Sequence, residues 1–179
     1  MAFSFLLFLA AQATPPPSEP PIDWDKEFGV EQAVRDPVTG EIPVAPYPQS
    51  NANSGARPFT GTTMAQTFGG QDGIRRITAR LVDLSESDPR TAAIFRAHDM
   101  VRLRRTLYEQ FCYILNAGCA YSGRDMASTH KDLGLKMADL NALVENLQRA
   151  MGEARVPFAA QNRLLAKLAP MDRDTLKHR

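Results

Sequence analysis

Proline is spread so unevenly along this chain that it divides the sequence into two parts with different folding prospects. Ten of the 13 prolines fall within residues 1–68. A prolyl nitrogen cannot donate a hydrogen bond and its ring fixes φ, so neither helix interiors nor central strands tolerate such a density. Charge follows the same division. Residues 1–68 carry 3 basic and 7 acidic side chains, a balance of −4, and residues 69–179 carry 18 and 13, a balance of +5. The boundary is placed near Phe68.

Residues 1–13, MAFSFLLFLAAQA, read as a secretory signal: an apolar run from Phe3 to Ala11 meets the small-residue site Ala11-Gln12-Ala13. The run carries no Lys or Arg before it and is too short to cross a bilayer. On this reading the mature protein begins near Thr14 and works in the periplasm or otherwise outside the cytosol. A spurious signal would leave it cytoplasmic. Residues 14–68 hold TPPPSEPP, PVTG, PVAPYP and SNANSG, with Trp24 and Phe28 as isolated aromatics. So little apolar surface among so many prolines reads as an extended, disordered leader.

From Gly69 the periodicity is helical. Ile74, Ile77, Leu81 and Leu84 make an amphipathic segment over about 72–85, after a short helix near 63–68 that Gly69-Gly70 breaks. Asp88-Pro89 reads as a helix start, with Asp as N-cap and Pro at the first helical position. Asp99 caps a helix in which Leu103, Leu107, Phe111 and Leu115 recur every four residues, and Asn116-Ala117-Gly118 stops it. A short segment over 125–133 carries Met126 and His130. A long helix presents Leu140, Leu143, Val144, Leu147 and Met151 on one face. Pro157 opens a last helix, with Leu164, Leu165 and Leu168, that Pro170 ends or kinks. No segment alternates as a strand does, so the expected fold class is all-α.

The formal net charge of +1 over 179 residues gives no nucleic-acid surface, and no run reaches the roughly 18 apolar residues of a membrane span. There is no Gly-x-Ser-x-Gly elbow, and the carboxylates are scattered over helix faces. Cys112, Cys119 and His130 are separated by six and ten residues, which matches no zinc pattern. The two cysteines flank a turn that can bring them within bridging range, or they are free core residues. His130 follows Met126 by four residues and precedes Leu133 by three, so it lies on or beside an apolar face. Such an imidazole is either a half-buried side chain with one hydrogen bond or the single axial ligand that haem requires. His98, in a connector, and His178, near the end of the chain, are the weaker candidates.

The stretch from GGQDGI (69–74) through DPRTAAIF (88–95), MVRLRRTLYEQFCYIL (100–115), CAYSGRDM (119–126), STHKDLG (128–134), LNALVENLQRAM (140–151) and VPFAAQNRLLAKLAPM (156–171) resembles a group I truncated haemoglobin. The resemblance covers essentially all of residues 69–179, and the leader resembles extensions on exported bacterial members. It implies a truncated globin fold, a two-over-two helical sandwich around haem b. His130 matches the proximal iron ligand and Phe95 the aromatic residue that packs on the haem. Phe111, Met126, Leu135, Leu140, Leu143 and Leu147 match haem-side packing positions. Arg102, Thr106 and Tyr121 match positions that approach the haem propionates. Many members carry tyrosine on the B helix and glutamine on the E helix; here those places hold Val82, Leu103 and Leu107, which implies an apolar distal pocket. Tyr108, about 100° round the helix from Leu107, should point away, and His98 is the residue that could swing in as a sixth ligand. Asn116-Ala117-Gly118 stands where Gly-Gly is usual, and Lys136 where a capping threonine is usual.

The implied function is binding of a diatomic gas (oxygen, and with it nitric oxide or carbon monoxide) at haem iron, in preference to an enzyme. The alternatives are a haem redox enzyme, either a nitric oxide dioxygenase or peroxidase-like, and a non-haem helical interaction module. The sequence carries no flavin or nicotinamide domain, so a redox enzyme would draw electrons from a separate reductase. The sequence fixes no oligomeric state.

Overall fold

The computed structural model describes residues 34–176. The signal reading of 1–13, the first part of the leader with Trp24 and Phe28, and His178 lie outside the described residues. Among the described residues all regular structure is helical. The helices are α1 (Thr63–Thr67), α2 (Gly70–Ser87), α3 (Ala92–Arg96), α4 (Met100–Ile114), α5 (Met126–His130), α6 (Met137–Glu153), α7 (Phe158–Leu168) and α8 (Asp172–Thr175). Short 3-10 turns occupy Asn51–Ser54 and Ala169–Met171. None of these helices is long and apolar enough to cross a membrane.

The long helices form two pairs. α2 lies against both α4 and α6, and α6 also meets α7. This is the two-over-two arrangement expected from the sequence. The core between the pairs holds Ile74, Ile77, Leu81 and Leu84 of α2, Phe111, Cys112 and Ile114 of α4, Leu147 and Met151 of α6, and Leu164 of α7. The helix ends follow local chemistry. The Asp99 side chain accepts from Val101 N–H and caps α4; Asp125 accepts from Ser128 N–H and caps α5. Lys136 N–H donates to Asp139 at 2.8 Å, so the first turn of α6 is closed from its third residue. Pro170 ends α7 at Leu168 by removing the next helical donor, and the chain continues as a 3-10 turn.

One glycine is fixed by close approach. α1 and α2 meet through Gly69 and Gly70, both at positive φ. Their turn brings the Phe68 carbonyl so near Gly73 that a Cβ there would lie 2.0 Å from the oxygen.

Three expectations need correction. The Asp88-Pro89 pair does not start a helix: Pro89 lies in a turn, and Asp88 accepts from Arg90 N–H before α3 begins at Ala92. Proline at the second position of a turn satisfies the same φ as proline at a helix start, so the dipeptide does not distinguish them. Val144 of α6 is 40% exposed rather than part of the buried face.

The third correction is the largest. The sequence predicts a mostly disordered leader ahead of the short helix near 63–68, yet from Val34 the chain belongs to the same compact unit as the helices. Residues 34–62 run as a strap over α4 and the loop that precedes α5. Arg35 pairs with Asp99 at 2.7 Å, and Ile42 N–H donates to the same carboxylate at 2.8 Å. Tyr47 donates to the Ser122 carbonyl, Phe59 N–H to the Ile114 carbonyl, and Gln110 to the Ser54 carbonyl. Glu41 is buried and paired with Arg102 and Arg105. An extended proline-rich chain cannot pair its own main-chain groups, and here α4 and the loop before α5 supply acceptors for Ile42, Tyr47 and Phe59 and donors for the Ile42 and Ser54 carbonyls.

Cys112 and Cys119 form a disulfide with a Cα separation of 5.5 Å. It closes the turn in which Asn116 and Gly118 take positive φ.

Candidate functional site

α3, the connector to α4, the first half of α4, α5, residues 133–135, the start of α6 and two strap residues enclose a cavity of about 400 Å³. Its apolar lining comes from Ile42, Val44, Ile94, Phe95, Leu103, Leu133, Leu135, Leu140 and Leu143. Its polar lining comes from Thr91, His98, Asp99, Arg102, Thr106, Thr129, His130 and Asp139. A mostly apolar cavity with a few placed polar groups is the usual form of a small-molecule or cofactor site.

Most of those polar groups are already engaged. Thr91 donates to the Ser85 carbonyl at 2.8 Å. The Thr106 hydroxyl faces the carbonyls of Arg102 and Leu103 on its own helix, at 3.0 and 3.3 Å. Asp99 takes Arg35, Ile42 N–H and Val101 N–H. Arg102 donates through Nη2 to the Ile42 carbonyl at 2.6 Å and pairs through Nη1 with Glu41 at 3.1 Å. Its Nε–H is buried without a partner, an expensive state that a ligand acceptor would relieve.

His130 closes α5, the short helix that Asp125 caps. Its Nδ1 lies 2.7 Å from the Met126 carbonyl, one helical turn back. A carbonyl only accepts, so Nδ1 carries the proton and Nε2 carries the lone pair. No hydrogen bond is made at Nε2 among the described residues. Burial holds the imidazole below the ordinary histidine range, and the charge of His98 adds to this, while the Met126 hydrogen bond opposes it. The neutral ring is therefore the resident form at neutral pH. A neutral imidazole, fixed in tautomer and orientation by a backbone acceptor, is the arrangement of a metal-ligating histidine with its outer-shell partner in place.

The cavity brings together His130, Phe95, Leu103, Leu135, Leu140, Leu143, Arg102 and Thr106. It does not include the other residues expected at the site. Phe111, Met126 and Leu147 belong to the main core. Val82 is fully buried away from the cavity lining. Leu107 packs against the core instead. Tyr121 is buried and donates to the Arg124 carbonyl at 3.0 Å, and burial pushes its hydroxyl up to about 12. Tyr108 also stays out of the cavity, with Arg75 stacked 3.9 Å from its ring centre. The sequence reading missed Ile94 and Leu133, which adjoin Phe95 and sit one turn from His130. It also missed Ile42 and Val44, for which the proline-rich leader carries no periodic signal.

The bacterial-like globin family matches residues 63–177. Group 1 truncated hemoglobin GlbN of Nostoc sp. (strain MUN 8820) is 30% identical over 90 residues, covering 50% of this chain and 76% of the relative. The same-named protein of Nostoc commune is 29% identical over the same spans. Among solved structures, truncated hemoglobin from Tetrahymena pyriformis superposes with a TM-score of 0.61 at 21% identity, over 63% of this chain and 97% of that one. The 2/2 hemoglobin from Synechococcus sp. PCC 7002 does so with a TM-score of 0.60 at 20% identity, over 64% and 98%. With the family match spanning most of the helical part and the helix pairs arranged two over two, this chain belongs to the bacterial-like globins and, within them, to the group 1 truncated haemoglobins.

Proposed function

We propose that the chain holds haem b in the cavity beside His130 and binds a diatomic gas there. The observation that carries this reading is His130, whose Nε2 lone pair is kept free by the Nδ1 hydrogen bond on the wall of a largely apolar cavity. The residues present suit the group. Phe95, Leu103, Leu135, Leu140 and Leu143 give apolar surface for a flat hydrophobic macrocycle, and the unspent Nε–H of Arg102 gives a donor for an anionic substituent. His130 would hold the haem iron through Nε2, and haem bound there would supply reversible binding of a diatomic gas. The Met126 carbonyl fixes the His130 ring for that role, and the apolar walls would exclude water from the site.

Gas binding is favoured over turnover by the lining itself. Leu103 stands where a distal donor is usual, and the Thr106 hydroxyl is directed to its own helix. We also propose that the protein is exported; the Cys112–Cys119 disulfide supports this, because such bonds persist in oxidising compartments.

Purified protein should show a Soret band, and His130→Ala should lose haem or the imidazole-ligated spectrum while His98→Ala keeps both. A normal imidazole-ligated spectrum in His130→Ala would sink the assignment.

A further inference from the structure

The strap raises a question the globin core does not answer. The family match begins at residue 63, yet two side chains from before it, Ile42 and Val44, line the cavity. Both are apolar and neither is well covered by protein: Ile42 is half-buried, and Val44 is 44% exposed. A β-branched side chain left open toward a cavity is surface that an apolar occupant would remove from water. The backbone between Gly40 and Ile42 is held with unusual thoroughness for a loop. Ile42 N–H goes to Asp99 and the Ile42 carbonyl takes Arg102, so both of its main-chain groups are bonded to residues that also line the cavity. Glu41 points the other way into α4 and is buried against Arg105 and Arg102. Arg35 ties Gly40 and Asp99 together from the outer side.

From this we infer that Ile42 and Val44 are haem-contacting residues, so that the binding site of this chain extends beyond the globin helices into its proline-rich strap, with Glu41 as the residue that positions them. The inference rests on the haem reading above. Its logic is positional: alternation along an extended chain sends Glu41 toward the helix, while its neighbour Ile42 and then Val44 face the cavity. The charge pair supplies the anchor and the two apolar side chains supply the contact. Fixing them in place before the ligand arrives lowers the ordering cost of binding.

The test is the rate of haem transfer to excess apomyoglobin from the full chain. It compares wild type, the double variant Ile42→Ser/Val44→Ser, Glu41→Gln, and Val38→Ser. The last is a control on the same strap, where Val38 is 91% exposed and outside the cavity lining. The double variant should lose haem roughly five- to tenfold faster, the change expected for uncovering part of two aliphatic side chains. Glu41→Gln should move in the same direction, and Val38→Ser should match wild type. The thermal midpoint of the apo double variant should stay within about 2 °C of wild type, because its side chains are poorly covered without ligand. If the double variant does not fold, the single variants Ile42→Ser and Val44→Ser decide. Equal loss rates across the set would overturn the inference and leave the haem reading standing. A large drop in apo stability with no separate change in haem loss would also overturn it. A wild type without any Soret band would overturn both.

Discussion

His130 carries two requirements in one side chain. Its Nδ1 must find an acceptor so that Nε2 is free, and the helical carbonyl four residues back supplies it at 2.7 Å. Sequence spacing alone shows that Met126 lies one turn away, but not that the ring folds back onto it. Leu103 is the residue most open to a gain of function. It lines the cavity, whereas Leu107 and Val82 do not, so a new amide belongs at 103. Leu103→Gln should slow oxygen dissociation by about one decade, the worth of one charge-assisted hydrogen bond, with far less effect on carbon monoxide. Stopped-flow oxygen release on the two proteins checks this, and equal rates would place the distal wall elsewhere. Gly73 makes a different residue-level prediction. Its missing Cβ leaves room for the Phe68 carbonyl, which is backbone and cannot rotate aside. Gly73→Ala should therefore destabilise the fold by about 2–3 kcal/mol despite alanine's better helix propensity, as read from urea midpoints.

α4 shows how one periodic row can serve two purposes. Leu103, Leu107, Phe111 and Leu115 recur every four residues, and each such step advances about 40° round the helix. The row therefore spirals from the cavity at Leu103 to the main core at Phe111 and Leu115, with Leu107 already on the core side. The sequence displays the row but not the point where the two environments change over. The end of the same helix is pinned by the disulfide. Closing a loop of this length removes about 2.5 kcal/mol of unfolded-chain entropy, so reduction should lower the urea midpoint by that equivalent. Identical denaturation curves with and without reductant, once thiol titration confirms reduction, would argue that the bridge contributes nothing.

At the scale of the molecule the strap couples charge to assembly. The Arg105 hydrogen bond holds the Glu41 carboxyl below its ordinary range, with the charges of Arg105 and Arg102 helping against burial and Asp99. A depressed carboxyl contributes stability that is fully present above its unfolded value and is lost as the pH falls through the folded one. Stability should therefore be flat in this respect from neutral pH down to the ordinary carboxylate range and decline below it. Glu41→Gln should remove that part of the acid dependence and cost about 2 kcal/mol at pH 7, as measured by chemical denaturation at several pH values. An unchanged profile would mean that the ion pairs leave net stability untouched. The proposal of export makes a second prediction at this scale: N-terminal sequencing of protein from native cells should begin near Thr14, and an intact Met1 in the cytosolic fraction would count against it.

The long helices, their order and most of their ends were readable from the sequence because each depends on residues close together in the chain: an apolar period, a capping Asp, a Gly-Gly break, a stopping Pro. The start of α3 was not, because Asp88-Pro89 suits a turn as well as a helix start. The resemblance likewise marked His130 and Phe95 through motifs within single segments, and the structure puts both on one cavity. What the sequence left open was of another kind. Whether Val82 faces a ligand or the core, and whether residues 34–62 are solvent or wall, depend on partners far along the chain, and even the nearby Cys112 and Cys119 meet only because the turn between them takes one particular conformation. Proline density measures only what a segment lacks for making its own hydrogen bonds. It carries no account of the donors on Arg102 and Gln110, or of the Ile114 carbonyl acceptor, that receive the strap once the helices are in place. Local propensity therefore determined the elements of this protein, and tertiary contact alone decided which of its residues enclose the site.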